Sequence, residues 1–153
     1  MKIYVDADSC PTAIKEILVR ASIRVSLPVI FIANQPVKLP GSEYITMIIV
    51  NEGPDIADDK IFELVSEGDL VISEDIPLAD RVIEKGAFVI SMRGELYTKE
   101  NIKQRLAVRD LLSDLRSAGL ETGGPARFKQ RDSRMFADQL DRFLTKYCKN
   151  HLP

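Results

Sequence analysis

Apolar residues fall along this chain in two alternating rhythms. KIYV (2–5), VIFIA (29–33), YITMIIV (44–50), DLVIS (69–73) and AFVIS (87–91) are short, nearly continuous apolar runs rich in β-branched residues, and they predict strands. Between them the apolar positions recur at helical spacing. Ile14, Ile17, Leu18 and Ala21 follow Ser9, an N-cap candidate, and Pro11, which suits a first helical turn. Ile61, Leu64 and Val65 mark the inner face of a helix over 55–67. Leu78, Ala79, Val82 and Ile83 mark another, opened by Pro77 and ended by Gly86. A Pro/Gly-bearing connection at 36–41 separates the second and third strands.

Strands without in–out alternation are expected where both faces are covered, and strand–helix alternation with short links implies parallel pairing through right-handed crossovers. The predicted fold is therefore α/β: a three-layer, open, mainly parallel sheet with helices on both faces. After residue 98 the rhythm changes. A long helix over 99–120 carries Ile102, Leu106, Leu112 and Leu115, and a last helix over 132–148 carries Phe136, Leu140, Phe143, Leu144 and Tyr147. With no internal repeat, low-complexity tract or clear boundary, residues 1–153 read as one domain with C-terminal helices added.

The 45% hydrophobic and 29% charged content is that of an ordinary globular protein, and no run reaches the roughly 18 apolar residues of a membrane span. The chain passes from Met1-Lys2 directly into its first strand with no signal-peptide pattern, so a cytoplasmic address with no membrane association is expected. Cys10 and Cys148 make no framework, so free thiols are expected. The net charge of −2 is uneven: residues 51–100 carry 5 Lys/Arg against 13 Asp/Glu, and residues 121–153 carry 7 against 4. An acidic middle and a basic tail suit a cation site beside a surface that meets anions, or simply two solvated faces.

The acids gather where an open parallel sheet binds ligands, outside the carboxyl ends of its strands. Asp6 and Asp8 follow the first strand, Asp75 follows DLVIS, and Asp55, Asp58 and Asp59 open the helix after YITMIIV. Converging carboxylates raise one another's pKa or are neutralised by a cation, and an all-oxygen set without His or Cys points to Mg²⁺ or Mn²⁺. Each acid but Asp6 also has a structural reading. Asp55, Asp8 and Asp75 are placed to cap helices, and Asp58 or Asp59 to meet the positive end of a helix dipole. Cys10, near a helix start, is a candidate thiolate or a packing residue. The single histidine, His151, lies close to the C-terminus, which sets aside His-dependent triads and zinc motifs. No Walker A loop or GxGxxG fingerprint is present.

A second candidate surface is GGPARFKQRDSRMF. Gly123 and Gly124 allow backbone amides near an anion, and Arg127, Lys129, Arg131 and Arg134 surround Phe128. This is a phosphate track with a stacking aromatic, or a solvated link whose Phe128 plugs the core. Arg105 and Arg109 on the preceding helix would extend the track.

VDADSCP, IVNEGPDIADDKI, GDLVISEDIPLADRVIEKGA, NIKQRL and GGPARFKQRDSRMFADQLD, in that order, resemble the YaiI/YqxD family of bacterial proteins over nearly the whole chain. The resemblance implies a fold similar to PIN-like nuclease domains, which hold Mg²⁺ or Mn²⁺ in an acidic cluster and cut RNA or DNA. By position, Asp6 matches the leading aspartate of that cluster, Asp75 the aspartate after the fourth strand, and Asp58 the acid on the intervening helix, with Asp55 or Asp59 as substitutes. Asp8 is a feature of the family, and Lys60 stands where many relatives carry tryptophan.

The expected function is thus metal-dependent phosphodiester hydrolysis. Asp6, Asp58 and Asp75 are the expected ligands, and Asp8 a ligand or water-orienting group. Arg127, Lys129, Arg131 and Arg109 are expected to hold the backbone of a nucleic acid, RNA foremost. Two alternatives stand beside it. One is a haloacid dehalogenase-like phosphatase with Asp6 as nucleophile, weakened because Asp69 precedes its strand; the other is a non-catalytic nucleic-acid-binding or regulatory protein.

Overall fold

The structure is a computed structural model that describes residues 1–124 and 126–148; Pro125 and His151 lie outside the described residues. Six strands, β1 (Ile3–Asp6), β2 (Val29–Ala33), β3 (Ile45–Ile49), β4 (Leu70–Ile72), β5 (Phe88–Ile90) and β6 (Leu96–Tyr97), form one sheet in the order β3-β2-β1-β4-β5-β6. All neighbours are parallel except β5 and β6, which pair antiparallel in a short hairpin that the sequence pattern does not announce. The helices are α1 (Thr12–Val25), α2 (Ile56–Leu64), α3 (Ile76–Glu84), α4 (Lys99–Ser117) and α5 (Gln130–Tyr147).

The apolar runs sort by parity onto two cores. Ile3 and Val5, Val29, Phe31 and Ala33, Leu70 and Ile72, and Ile90 face α1 and α5, where Leu18, Phe136, Leu140 and Phe143 meet them. Tyr4, Ile32, Val71 and Val89 face the other way, toward Ile61 of α2, Leu78 and Val82 of α3 and Ile102 of α4. Both faces of the sheet are therefore covered, which is why the strands lack alternation. Phe88, Phe143 and Tyr147 form an aromatic trio, with centroids 4.6–5.2 Å apart, that fastens α5 to the sheet.

Local details depart from the sequence expectation at several points. Ser9 does not cap α1: a 3-10 turn, Ala7–Ser9, intervenes, and Pro11 is the N-cap without a side-chain bond. Asp8 does not cap it either. The helix expected over 55–67 is shorter, because Val65 turns extended to place its side chain in the core. Asp55 takes a left-handed φ of 63° with no side-chain cap. Asp75 does cap α3, accepting the Leu78 amide at 2.9 Å. Gly94, at φ +89°, lets the β5–β6 turn approach α5; a Cβ there would stand 2.6 Å from the Met135 backbone.

Candidate functional site

β1 and β4 lie side by side, while the chain runs from β1 outward to β2 and β3 on one side and from β4 to β5 on the other. The strand order reverses between them, and the crevice beyond their carboxyl ends is the switch point at which such sheets bind ligands. Asp6 is the last residue of β1, and its parity, shared with Tyr4, turns it toward the α2–α3 side. Residues 73–75 follow β4 at the same edge, and α2 delivers its first turn there.

Asp6 is half-buried. Its Oδ2 accepts from the Ser73 hydroxyl at 3.3 Å and, at 3.5 Å, from the Ser9 hydroxyl. Burial raises its pKa, and the charges of Asp75 and Asp8 push the same way, while the two hydroxyls oppose. Ser73 is wholly buried, and its oxygen also accepts the Asp75 amide at 3.0 Å, so one hydroxyl joins the ends of β1 and β4. Asp58 stands within hydrogen-bonding reach of Asp75. Burial, that hydrogen bond, and the charges of Asp75, Asp6 and Asp55 lift its pKa to about 7. Burial and the surrounding negative charge disfavour its ionised form, so Asp58 holds its proton up to about neutral pH.

The neighbouring acids go elsewhere. Asp59 forms an exposed ion pair with Arg81 at 3.0 Å. Asp55 acts on Asp58 through its charge alone. Asp8 accepts the Asn34 amide at 2.8 Å, tying the 3-10 turn to the end of β2. Burial pushes the Cys10 thiol up to about 12, which leaves it protonated and packed in the core.

Among the described residues, no three His, Cys, Asp or Glu side chains are grouped tightly enough to hold a metal ion as they stand. Asp6 accepts from hydroxyls, and Asp8 and Asp75 accept from backbone amides. The donor set is nonetheless that of a hard cation. Mg²⁺ keeps several waters and takes one or two carboxylates directly, a demand that the Asp58–Asp75 pair fits, with Asp6 beside it.

The basic connection is held by residues that sequence reasoning misses. Arg93 donates to buried Asp132 at 2.9 Å and to the Ala126 carbonyl at 2.5 Å, and its guanidinium lies 5.5 Å from the Phe128 ring. Phe128 is half-buried against the core, so it plugs more than it presents a free stacking face. Gly123, Gly124, Arg127, Lys129 and Arg131 are not buried, and among the described residues none of these three cations is ion-paired. Arg105 pairs with Glu95, and Arg109 with Asp110 at 3.3 Å, so the expected extension along α4 is engaged locally. A cavity of about 320 Å³, lined by Ser9, Pro11, Glu74, Met92, Arg93 and Phe128, lies between the connection and the Asp6 edge. Ser73 carries a faint signal in the sequence, a polar residue closing a buried strand just before the acids. Arg93 carries none, because its partner is 39 residues away.

The model of DUF188, an uncharacterised bacterial family also named YaiI/YqxD, matches residues 4–146. A UPF0178 protein of Hahella chejuensis is 55% identical over 150 residues, covering 98% of this chain and 100% of the relative. A second, from Shewanella amazonensis, is 52% identical over 149 residues, covering 97% of this chain and 100% of its own length. No solved structure matches the chain significantly. A match this long and this close, spanning both the acid-bearing segments and the basic connection, places the chain in the YaiI/YqxD family.

Proposed function

We propose that this protein is a nuclease that hydrolyses phosphodiester bonds of RNA or DNA with the aid of Mg²⁺ or Mn²⁺ held at the switch point, in a domain of PIN-like type. The observation that carries the reading is the Asp58–Asp75 pair with Asp6 joined to it through Ser73: acids from three separate segments meet where the sheet order reverses. Such a cation would polarise the scissile phosphate and acidify a bound water.

The chain's own residues then have distinct tasks. Asp58 and Asp75 would hold the ion, displacing the Asp58 proton, and Asp6 would bind it or orient its water. Ser73 and Ser9 fix the Asp6 carboxylate, and Asp8 braces the turn against β2. The exposed Arg127, Lys129 and Arg131, held in place by the Arg93–Asp132 pair, would position the phosphate backbone. Asp69 weighs against the phosphatase alternative: its oxygens accept the Lys2 and Ser66 amides at the opposite edge of the sheet, leaving Asp6 and Asp8 without a later acidic partner from that position.

The test compares wild type with Asp6→Asn on single-stranded RNA, structured RNA and DNA, with Mn²⁺ and with EDTA. Cleavage by the wild type with Mn²⁺, lost in EDTA and in the variant, is expected. Cleavage that survives both changes overturns the mechanism. A phosphorylated Asp6 trapped with a phosphate monoester favours the phosphatase.

A further inference from the structure

On α4 an apolar surface stands open. Of the helix's nineteen residues only Ile102 is buried, and Lys103 fastens the same first turns to Asp80 and Glu84 of α3 by ion pairs of 2.7 and 2.8 Å. Beyond that anchorage Val108 is 48% exposed, Leu111 58% and Leu112 36%. A stretch of helix this short and without buried side chains is marginal in water by itself. Val108, Leu111, Leu112 and Leu115 stand at i, i+3, i+4 and i+7, a single apolar seam of the kind that pairs helices.

The charges beside the seam decide what covers it. At about 100° per residue, Arg105, Arg109 and Arg116 flank one side and Asp114 the other; Arg105 is paired with Glu95 and Arg109 with Asp110, whereas among the described residues Arg116 and Asp114 are in no ion pair. Mixed signs suit neither a polyanion nor a bilayer. They suit a second copy of the same helix, and they select its direction. In an antiparallel two-fold pair each flank meets its own counterpart, arginine against arginine. In a parallel pair each flank meets the opposite one, so the arginine side faces Asp114 of the partner subunit. Arg116 is then nearest in height, two residues or about 3 Å of helix rise away.

We propose that the protein forms a two-fold dimer through parallel pairing of α4 along the Val108–Leu115 seam, with reciprocal ion pairs between Arg116 and Asp114 of the partner subunit. The proposal uses no residue of the acidic edge and does not depend on the nuclease reading.

Sedimentation equilibrium of the full chain tests it. Wild type is expected at twice the chain mass in the micromolar range; a monomer throughout overturns the proposal. Leu111→Glu, at an exposed position and with an unchanged far-UV spectrum, is expected to be monomeric, whereas Met135→Glu, at another exposed apolar position, on α5, is expected to remain dimeric. A dimeric Leu111→Glu, or a monomeric Met135→Glu, overturns the assignment of the interface to this seam. Arg116→Glu and Asp114→Arg are each expected to weaken dimerisation roughly tenfold, and the double variant to recover most of that loss. Failure of the double variant to recover overturns the parallel pairing.

Discussion

The hydroxyl of Ser73 donates to Asp6 Oδ2 at 3.3 Å while its oxygen accepts the Asp75 amide at 3.0 Å. One buried side chain thus sets the distance between the acid that ends β1 and the acid that caps α3. Ser73→Ala removes a bond that lowers the Asp6 pKa, so that pKa is expected to rise further above its ordinary 3.8. NMR titration of the Asp6 carboxyl reads this directly. Loss of the hydrogen bond, which leaves the Asp75 amide without this acceptor, is expected to cost about 1–3 kcal/mol in urea unfolding.

The raised pKa of Asp58 gives stability a pH dependence of defined sign. The folded chain holds the proton up to about pH 7, whereas an unperturbed carboxyl releases it near 3.8. Stability from this group is therefore fully present below the lower value and is lost as pH rises toward the upper one. In EDTA, the thermal midpoint is expected to fall more over this window for wild type than for Asp58→Asn. Equal slopes would show that Asp58 does not carry the shift.

Under the proposed function, a cation that displaced that proton would bind the folded chain and not the unfolded one, and so would stabilise it by mass action. Saturating Mn²⁺ is expected to raise the midpoint of wild type and to flatten its decline with pH. Asp75→Asn is a selective control: asparagine caps a helix about as well as aspartate, so α3 is retained while the carboxylate is lost. Its midpoint is expected to be insensitive to Mn²⁺.

Gly94 is expected to tolerate no side chain. An added Cβ would meet Met135 and Phe136 backbone atoms at 2.6–2.8 Å, and φ is +89°. Gly94→Ala is therefore expected to lose on the order of 2 kcal/mol or more of unfolding free energy, with Gly68→Ala, at φ +87° but with open space around it, losing less. Urea titration of the two variants ranks them.

Arg93→Ala would leave Asp132 buried without its cation. The expected loss is about 3 kcal/mol in urea unfolding, together with faster proteolysis of the connection before α5. If the basic segment contributes to backbone binding, the same variant weakens RNA binding while leaving the Asp6 edge intact.

The strands are legible in the sequence because an apolar run flanked by helical spacing admits few other arrangements, and Phe136, Leu140, Phe143 and Leu144 mark α5 by period alone. β6 is not, because two residues in a hairpin carry no periodicity. Asp55, Asp58 and Asp59 share a segment, and in the sequence only the family resemblance singles out Asp58. The helix phase ranks them: Asp59 turns to Arg81 and Asp58 to Asp75. Phe128 has two readings in the sequence, and its packing against the core beside Arg93 decides for the plug.

The sequence by itself determined the layers, the parallel pairing and the edge at which the acids collect, because burial acts on local patterns that repeat every two residues in a strand and every 3.6 in a helix. Only the tertiary structure decided which acids meet, that Ser73 joins them, that Arg93 holds the basic connection, and that the far half of α4 buries no side chain. Those outcomes depend on contacts between residues distant in sequence, and such contacts are set by the relative placement of whole elements, which no local period encodes.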